Sequence, residues 1–454
     1  GEDIKDYYFH LANTPTHSFM RGLYKYPQAE FPYQHLVDEN GRRSRDQPEY
    51  ELVDTGIFDE NRYFDVVIEY AKASPTDILI QIRVVNRGPA TAPITLLPTI
   101  WMRNTWSWGY PDQPCLPMAM STATGLTDGG ARDSVAIPAL AHLEAYTLHC
   151  REQGDWLFTD NETNLERLYH QPNSTPFQKD GFHRYVVEGE AGAINPARSG
   201  TKAARLLQRD LAPGEEWCVQ LRLRPQAANA TSADGPAAEP FGAGFDGIFA
   251  EREADWHAFQ EHLLPGLKPD DRLIHSTALA GLLWCKKYYG WSVLRWLEGD
   301  PTQPTPPTNR WQTDTALWSR LHAHNIISMP DSWEYPYFCQ WDLMFHAVSF
   351  AIVDPATAKQ QSMLLRSPHY TAPNAQTPAY EWALSDPNPP IGAWAVMRIF
   401  QIERKQAEGM ADFAYLRSAL RKLLLEYGWW ANRNDRSGDN VFEGGFLGLD
   451  NIAV

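Results

Sequence analysis

Two changes of rhythm along 454 residues predict a β + α multidomain chain, an antiparallel β-sandwich followed by a helical barrel. Up to about residue 225 apolar residues alternate with polar ones, as in strands that bury one face. After about residue 246 the spacing becomes helical. Length agrees, because single cores stop growing near roughly 250–300 residues and a longer chain splits.

The strand half is clearest in residues 77–86, where Ile78, Ile80, Ile82 and Val84 alternate with Leu79, Gln81, Arg83 and Val85. Val219, Leu221 and Leu223 alternate in the same way with Gln220, Arg222 and Arg224. Turn clusters at 86–89 and 213–215 separate such runs, and many short strands joined by Gly, Pro and Asn turns make a sandwich. The run QAANATSADGPAAEPFGAG is rich in Ala, Gly and Pro without apolar periodicity, so it reads as a linker. The expected division is 1–225 for the sandwich, 226–268 for a linker region with a helix, and 269–454 for the first half of a catalytic barrel.

In the helical half, Phe413, Leu416, Leu420, Leu423 and Tyr427 keep three-to-four spacing. Pro389 and Pro390 are placed to supply the first turn of a helix running through Arg404. Its apolar residues Ile391, Trp394, Ala395, Met397, Ile399 and Phe400 surround it on most sides, which predicts a helix buried among others. Pro336 fits another helix start, after which Phe338, Trp341, Phe345, Val348 and Ile352 form a predicted packed seam.

Composition narrows the function. With 40 Lys and Arg against 56 Asp and Glu, the net charge is −16, so a polyanion is repelled and nucleic acid is not an expected partner. No stretch approaches the roughly 20 apolar residues of a membrane helix, and GEDIKDYYFH lacks the order of a signal peptide. The chain starts without Met and reads as cut, with a cytoplasmic location expected. Cys115, Cys150, Cys218, Cys285 and Cys339 form no framework and are expected to be buried thiols. The sequons at Asn161, Asn173 and Asn229 read as chance. Templates for serine hydrolases, zinc proteases and nucleotide loops do not occur, and the scattered histidines give no metal site. No cofactor is expected.

The aromatic residues stand out, with 17 Trp, 20 Tyr and 19 Phe. After residue 284 the tryptophans gather with carboxylates and amides, a mixture suited to a pyranose ring. Three segments carry the pattern. In WEYPYFCQWDLMFH, residues 333–346, Asp342 falls near a helix start, with His346 one turn on and Trp333, Tyr335, Tyr337 and Trp341 around it. Asp342 is either a functional acid or a residue favouring the positive end of the helix dipole, worth about 0.3–1 kcal/mol. A general acid must keep its proton, so burial by the rings has to outweigh the dipole. In NAQTPAYEWALSDPNPPIGAW, residues 374–394, Glu381, Trp382, Asp386, Asn388 and Trp394 either contact a ligand or pair and cap locally. In WWANRNDRSGDNVFEGGFLGLDN, residues 429–451, Glu443, Asp450 and Asn451 accompany the Gly444–Gly445 pair, which suits a ligand or a plain turn.

At these segments, and at LYKYPQAEFPY, ELVDTGIFDENRYFDVVIEYAK and TIWMRNTWSWG, the sequence resembles the bacterial and fungal glucosidase-like branch of glycoside hydrolase family 63, related to processing α-glucosidase I. The resemblance implies a β-sandwich followed by an (α/α)6 barrel and inverting hydrolysis of α-glycosidic bonds in oligosaccharides or small glucosides. It places the family's general acid on Asp342. Trp333, Tyr335, Trp341, Glu381, Trp382, Asn388, Trp394, Glu443, Asp450 and Asn451 are then expected to bind substrate. A twelve-helix barrel needs about 350–450 residues, and about 190 follow the linker, so half a barrel is expected and the family's base Glu lies downstream. Glu381 and Glu443 are the substitutes within this sequence. A glycoside phosphorylase of the same architecture and a non-catalytic carbohydrate-binding fragment are the alternatives.

Overall fold

The computed structural model describes residues 6–123, 132–140, 143–226, 239–330, 337–433 and 437–439. Two compact units emerge, one of Gly1–Ser107 and Pro111–Gly281, the other of Trp108–Tyr110 and Leu282–Val454.

The first unit is built from strands β1 (Tyr7–Asn13), β2 (Phe19–Pro27), β3 (Tyr63–Ser74), β4 (Asp77–Asn86), β5 (Ala92–Leu96), β6 (Thr99–Trp101), β7 (Met118–Ala123), β8 (Arg132–Ile137), β9 (Tyr146–Cys150), β10 (Asp155–Thr159), β11 (Ser199–Gly200), β12 (Lys202–Leu211) and β13 (Glu216–Pro225). Helices α1 (Tyr33–Arg42), α2 (Leu165–Tyr169), α3 (Gly181–Val187) and α4 (Ala243–Leu263) join them, and α5 (Pro269–Trp284) spans the division between the units. Nine strands form one antiparallel sheet in the order β1-β2-β3-β4-β13-β9-β8-β7-β11. A smaller sheet runs β10-β12-β5, with β6 also paired to β12.

Register explains why the alternation works. Ile82 sits opposite Ile68 on one side and Val219 on the other, and Ile80 sits between Tyr70 and Leu221, so whole rows point to one face. That face meets Ile94, Trp156, Phe158 and Leu207 of the smaller sheet in one apolar core. On the opposite face Glu69 is buried but paired with Arg21 at 2.6 Å and Arg83 at 2.8 Å. Arg21 also donates to Glu253 of α4, which ties that helix to the sheet. The N-terminal part is therefore an antiparallel β-sheet domain, and helices dominate the rest of the chain.

In the second unit β14 (Lys286–Ser292) pairs with β15 (His322–Ser328), a small sheet the helical reading missed, since KKYYGWS shows no apolar alternation. It is joined by α6 (Val293–Glu298), α7 (Gln340–Phe350), α8 (Pro355–Leu364), α9 (Gly392–Gln406) and α10 (Phe413–Asn432). Tyr289, Phe338, Leu343, Met344, Leu365, Tyr370 and Leu384 form its core.

The expected helices are present, but α7 starts at Gln340 after an extended Cys339 rather than at Pro336, and the expected faces hold only in part. On α7 the buried residues are Gln340, Leu343, Met344, Ala347 and Phe350. Of the expected seam, Phe338 is buried just before the helix and Trp341 and Val348 pack against the core, while Phe345 and Ile352 are 45% and 49% exposed. On α10 Tyr415, Ala419 and Glu426 are buried, and Phe413, Leu420 and Tyr427 face outward. Helix α9 starts at Gly392, two residues after Pro390, and it is packed on one side with Trp394 and Met397 exposed.

Some interior positions are instead filled by a polar cluster. Arg366 Nε donates to Glu426 at 2.8 Å and its Nη1 donates to the Ser362 carbonyl, while Gln340 Nε2 reaches Thr377 at 2.8 Å and Glu426 at 3.3 Å. Polar groups that satisfy one another can occupy positions that hydrophobicity alone assigns to Leu or Phe. Gly392 is part of the same arrangement, because a Cβ there would collide with Arg366 Nη2.

The cysteines also depart from expectation. Cys150 and Cys339 are buried and Cys285 is half-buried, but Cys115, in a loop, and Cys218, on the outward side of β13, are exposed. Among the described residues no helix is long and apolar enough to cross a membrane.

Candidate active site

Asp342 belongs to the first turn of α7, and the chain entering that helix is fixed by backbone pairing. Cys339 is extended and forms an antiparallel bridge with Tyr380, and the Gln340 amide donates to the Ala379 carbonyl at 2.7 Å. The loop that carries Glu381 and Trp382 is thus bonded to the N-terminus that carries Asp342, although about 40 residues separate them in sequence.

Residues 380–383 form a tight turn closed by the Ala383 amide to the Tyr380 carbonyl at 3.2 Å. Trp382 occupies its third position at φ 70°, a left-handed conformation that favours Gly or Asn. For a bulky residue this costs roughly 1–2 kcal/mol. A second bond, from the Ala379 amide to the Leu384 carbonyl at 3.1 Å, holds the loop. The Tyr380 hydroxyl donates to Asp386 at 3.1 Å, and Trp318 Nε1 donates to Ser385 at 2.9 Å.

Glu381 is half-buried and accepts a 2.6 Å hydrogen bond from the Tyr289 hydroxyl on β14. Burial pushes its carboxyl above the usual range, and the Tyr289 bond pulls the other way without cancelling that effect. The Tyr289 phenol is driven far upward, first by burial and then by the Glu381 charge. Tyr289 was not found by sequence reasoning, because nothing local links it to a residue 92 positions away.

The rings form two groups. Trp382 is 55% exposed and lies 5.2 Å from Trp291 and 5.1 Å from Trp296, centroid to centroid, inclined at 59° and 62°. Arg310 stacks over Trp296 at 4.4 Å and donates to its carbonyl at 2.6 Å. Along α7 and α9, Trp341 meets Phe345 at 6.2 Å and Phe345 meets Trp394 at 5.5 Å. Trp291, Trp296 and Arg310 were not singled out from sequence, though the two tryptophans belong to the aromatic enrichment after residue 284.

His346 turns away from this chemistry. Its Nδ1 lies 3.0 Å from the Ser328 hydroxyl, and burial, with Lys287 second, lowers its pKa to about 4, so it is neutral at pH 7. Cys339 is pushed up to about 12 by burial and then by the Asp342 charge. Asn388 lies inside the loop, where its amide donates to the Ala379 carbonyl at 3.1 Å and its Oδ1 has no hydrogen-bond partner. It does not cap α9, whose N-cap is Ile391. Trp333, Tyr335, Glu443, Asp450 and Asn451 lie outside the described residues. Among the described residues no cluster of three or more His, Cys, Asp or Glu is arranged to hold a metal.

Residues 335–445 match the model of the mannosylglycerate hydrolase MGH1-like glycoside hydrolase domain. That stretch is glycoside hydrolase-like. It contains Asp342, Glu381, Trp382 and Trp394, the residues described above. The whole chain is 38% identical over 482 residues to an uncharacterized protein of Saccharomyces cerevisiae, YMR196W, and spans 44% of that relative's length. Among solved structures, a putative aldose 1-epimerase from Escherichia coli K12 aligns at 8% identity, with 48% of this chain and 67% of that one covered and a TM-score of 0.23. A putative kojibiose phosphorylase from human microbiome aligns at 7% identity, with 93% and 46% covered and a TM-score of 0.22. At those TM-scores neither likeness establishes a common fold.

Proposed function

We propose that the chain carries the acid-bearing part of an inverting α-glycosidase that cleaves α-glucosidic bonds in oligosaccharides or small glucosides. The observation that carries this reading is the glycoside hydrolase match over residues 335–445, which spans Asp342 and the Glu381 turn bonded to its helix. Asp342 is assigned as general acid, protonating the leaving oxygen while a second carboxylate roughly 6.5–9.5 Å away activates water on the opposite face of the sugar.

The helix N-terminus favours ionised Asp342, so the acid role requires desolvation when a sugar covers the site. Phe345 follows Asp342 by three residues on α7, which puts apolar surface beside the carboxyl. Glu381 is assigned to binding, because its carboxyl already accepts the Tyr289 hydroxyl and is held on the turn beside the exposed Trp382 ring. Trp382 and Trp394 supply ring faces. Trp333, Tyr335, Glu443, Asp450 and Asn451 are assigned as further contacts, and Asn388 supports the loop.

Turnover of aryl α-glucosides, α-linked disaccharides and mannosylglycerate, the last chosen from the matched family's name, tests this reading. Asp342→Asn should lower turnover by about 10²–10⁴-fold. Undiminished turnover in that variant removes Asp342 from the mechanism.

A further inference from the structure

Trp382 combines two properties that packing alone does not explain. Its backbone sits at φ 70°, where Gly is favoured, yet its ring remains 55% exposed. A bulky side chain held in a disfavoured conformation at a loop tip points to a task for the ring. Single exposed aromatics are ordinary, but this ring completes a corner with Trp291 and Trp296, both half-buried and packed on the core of the same unit. Glu381 is the preceding residue and is anchored by Tyr289, so an acceptor for hydroxyl groups adjoins the apolar faces. Flat apolar surface beside a fixed carboxylate matches a pyranose, with C–H faces to stack and hydroxyls to donate.

We infer that Trp382, with Trp291 and Trp296, forms a subsite for a second sugar ring, so that the substrate is a disaccharide or longer oligosaccharide. A sugar joined to a small acyclic acid would leave this corner unused. The inference rests on the glycosidase reading for the bond that is cleaved, but the binding it describes needs no catalysis.

The backbone supplies a clean variant. Trp382→Gly removes the ring while placing at φ 70° the residue that accepts that angle, so loss of the ligand contact is separable from damage to the fold. The experiment titrates glucose, maltose, nigerose, kojibiose, isomaltose and mannosylglycerate into the wild-type chain and the variant, read by calorimetry and tryptophan fluorescence. Wild type should bind at least one disaccharide about tenfold or more tighter than glucose, a difference of about 1.4 kcal/mol. Trp382→Gly should lose that difference and melt within about 3 °C of wild type.

Equal affinity for glucose and every disaccharide overturns the inference, and so does a variant that keeps the preference. A variant that melts far lower also overturns it, because the ring then serves packing. Hydrolysis of an aryl glucoside without any disaccharide preference sinks the second-ring subsite and leaves the glycosidase. Disaccharide preference lost in Trp382→Gly without hydrolysis does the reverse.

Discussion

At Glu381 a single hydrogen bond competes with burial, and the competition has a measurable sign. Burial raises the carboxyl pKa above its ordinary value, whereas the bond from Tyr289 favours the ionised form. The folded state therefore holds this proton at pH values where the unfolded chain, titrating near the ordinary Glu value of about 4.3, has released it. Stability from this group is present below the unfolded pKa and falls as pH rises through the folded one. Removing the titration with Glu381→Gln should flatten that part of the curve. The variant should gain stability relative to wild type as pH rises above the ordinary Glu value of about 4.3, measured by thermal melts across a pH series. Tyr289→Phe acts oppositely on the charge, leaving the ionised carboxylate without its donor and steepening the fall. A parallel pH dependence in wild type and Glu381→Gln would show that Glu381 does not titrate in that window. Glu381 and Trp382 were singled out from the sequence as expected sugar contacts, and the structure sets them side by side on one turn. Tyr289 was not legible, because a contact across 92 residues leaves no local trace. Nor was the left-handed turn, since Trp382 stands where turn chemistry leads one to expect Gly or Asn.

At the scale of elements, a buried polar cluster joins residues of α7 and α10 to the end of α8. Glu426 and Arg366 are 5% and 4% exposed, and each is the other's charged partner at 2.8 Å. Buried pairs of this kind are strongly destabilising to break, because the survivor keeps a charge out of water without compensation. Glu426→Ala is expected to cost about 3–5 kcal/mol in chemical denaturation, while replacing both partners by Met and Leu should recover much of that loss. Gly392→Ala should act through the same pair, because the guanidinium that its Cβ would meet is already fixed by Glu426 and Ser362. Additive losses in the double replacement would mean that the two residues act separately. The helix faces show the limits of periodicity. Phe413, Leu420 and Tyr427 keep helical spacing and yet face outward, because spacing reports a stripe but not which neighbour covers it. In the sheets the same kind of reading succeeds. Ile80, Ile82 and Val84 line the inner face, where strand pairing on both sides leaves a two-fold choice and the ionic outer face settles it.

Across the whole molecule, acidic charge bears on which sugars are welcome. The net charge of −16 and a sequence pI of about 5.3 create a negative field that opposes anions and leaves neutral sugars unaffected. Around the candidate site the Asp342 and Asp386 carboxyl groups share that acidic character, while Arg310 is spread over Trp296. Neutral glucosides and anionic substrates should therefore respond differently to salt. Raising ionic strength from about 0.01 M to 0.15 M shortens the screening length from about 30 Å to about 8 Å and weakens the repulsion. For a neutral aryl glucoside kcat/KM should stay constant within about twofold over that range, since no charge on the substrate couples to the field. For mannosylglycerate, or for a reaction requiring inorganic phosphate, kcat/KM should rise with salt until screening is complete. Turnover that depends on phosphate and falls with salt would point instead to a local anion-binding site strong enough to reverse the field, and would favour the phosphorylase alternative over hydrolysis. Salt-independent hydrolysis of a neutral α-linked disaccharide, lost in Asp342→Asn, would join the charge of the whole molecule to the carboxylate at the start of α7 in one mechanism.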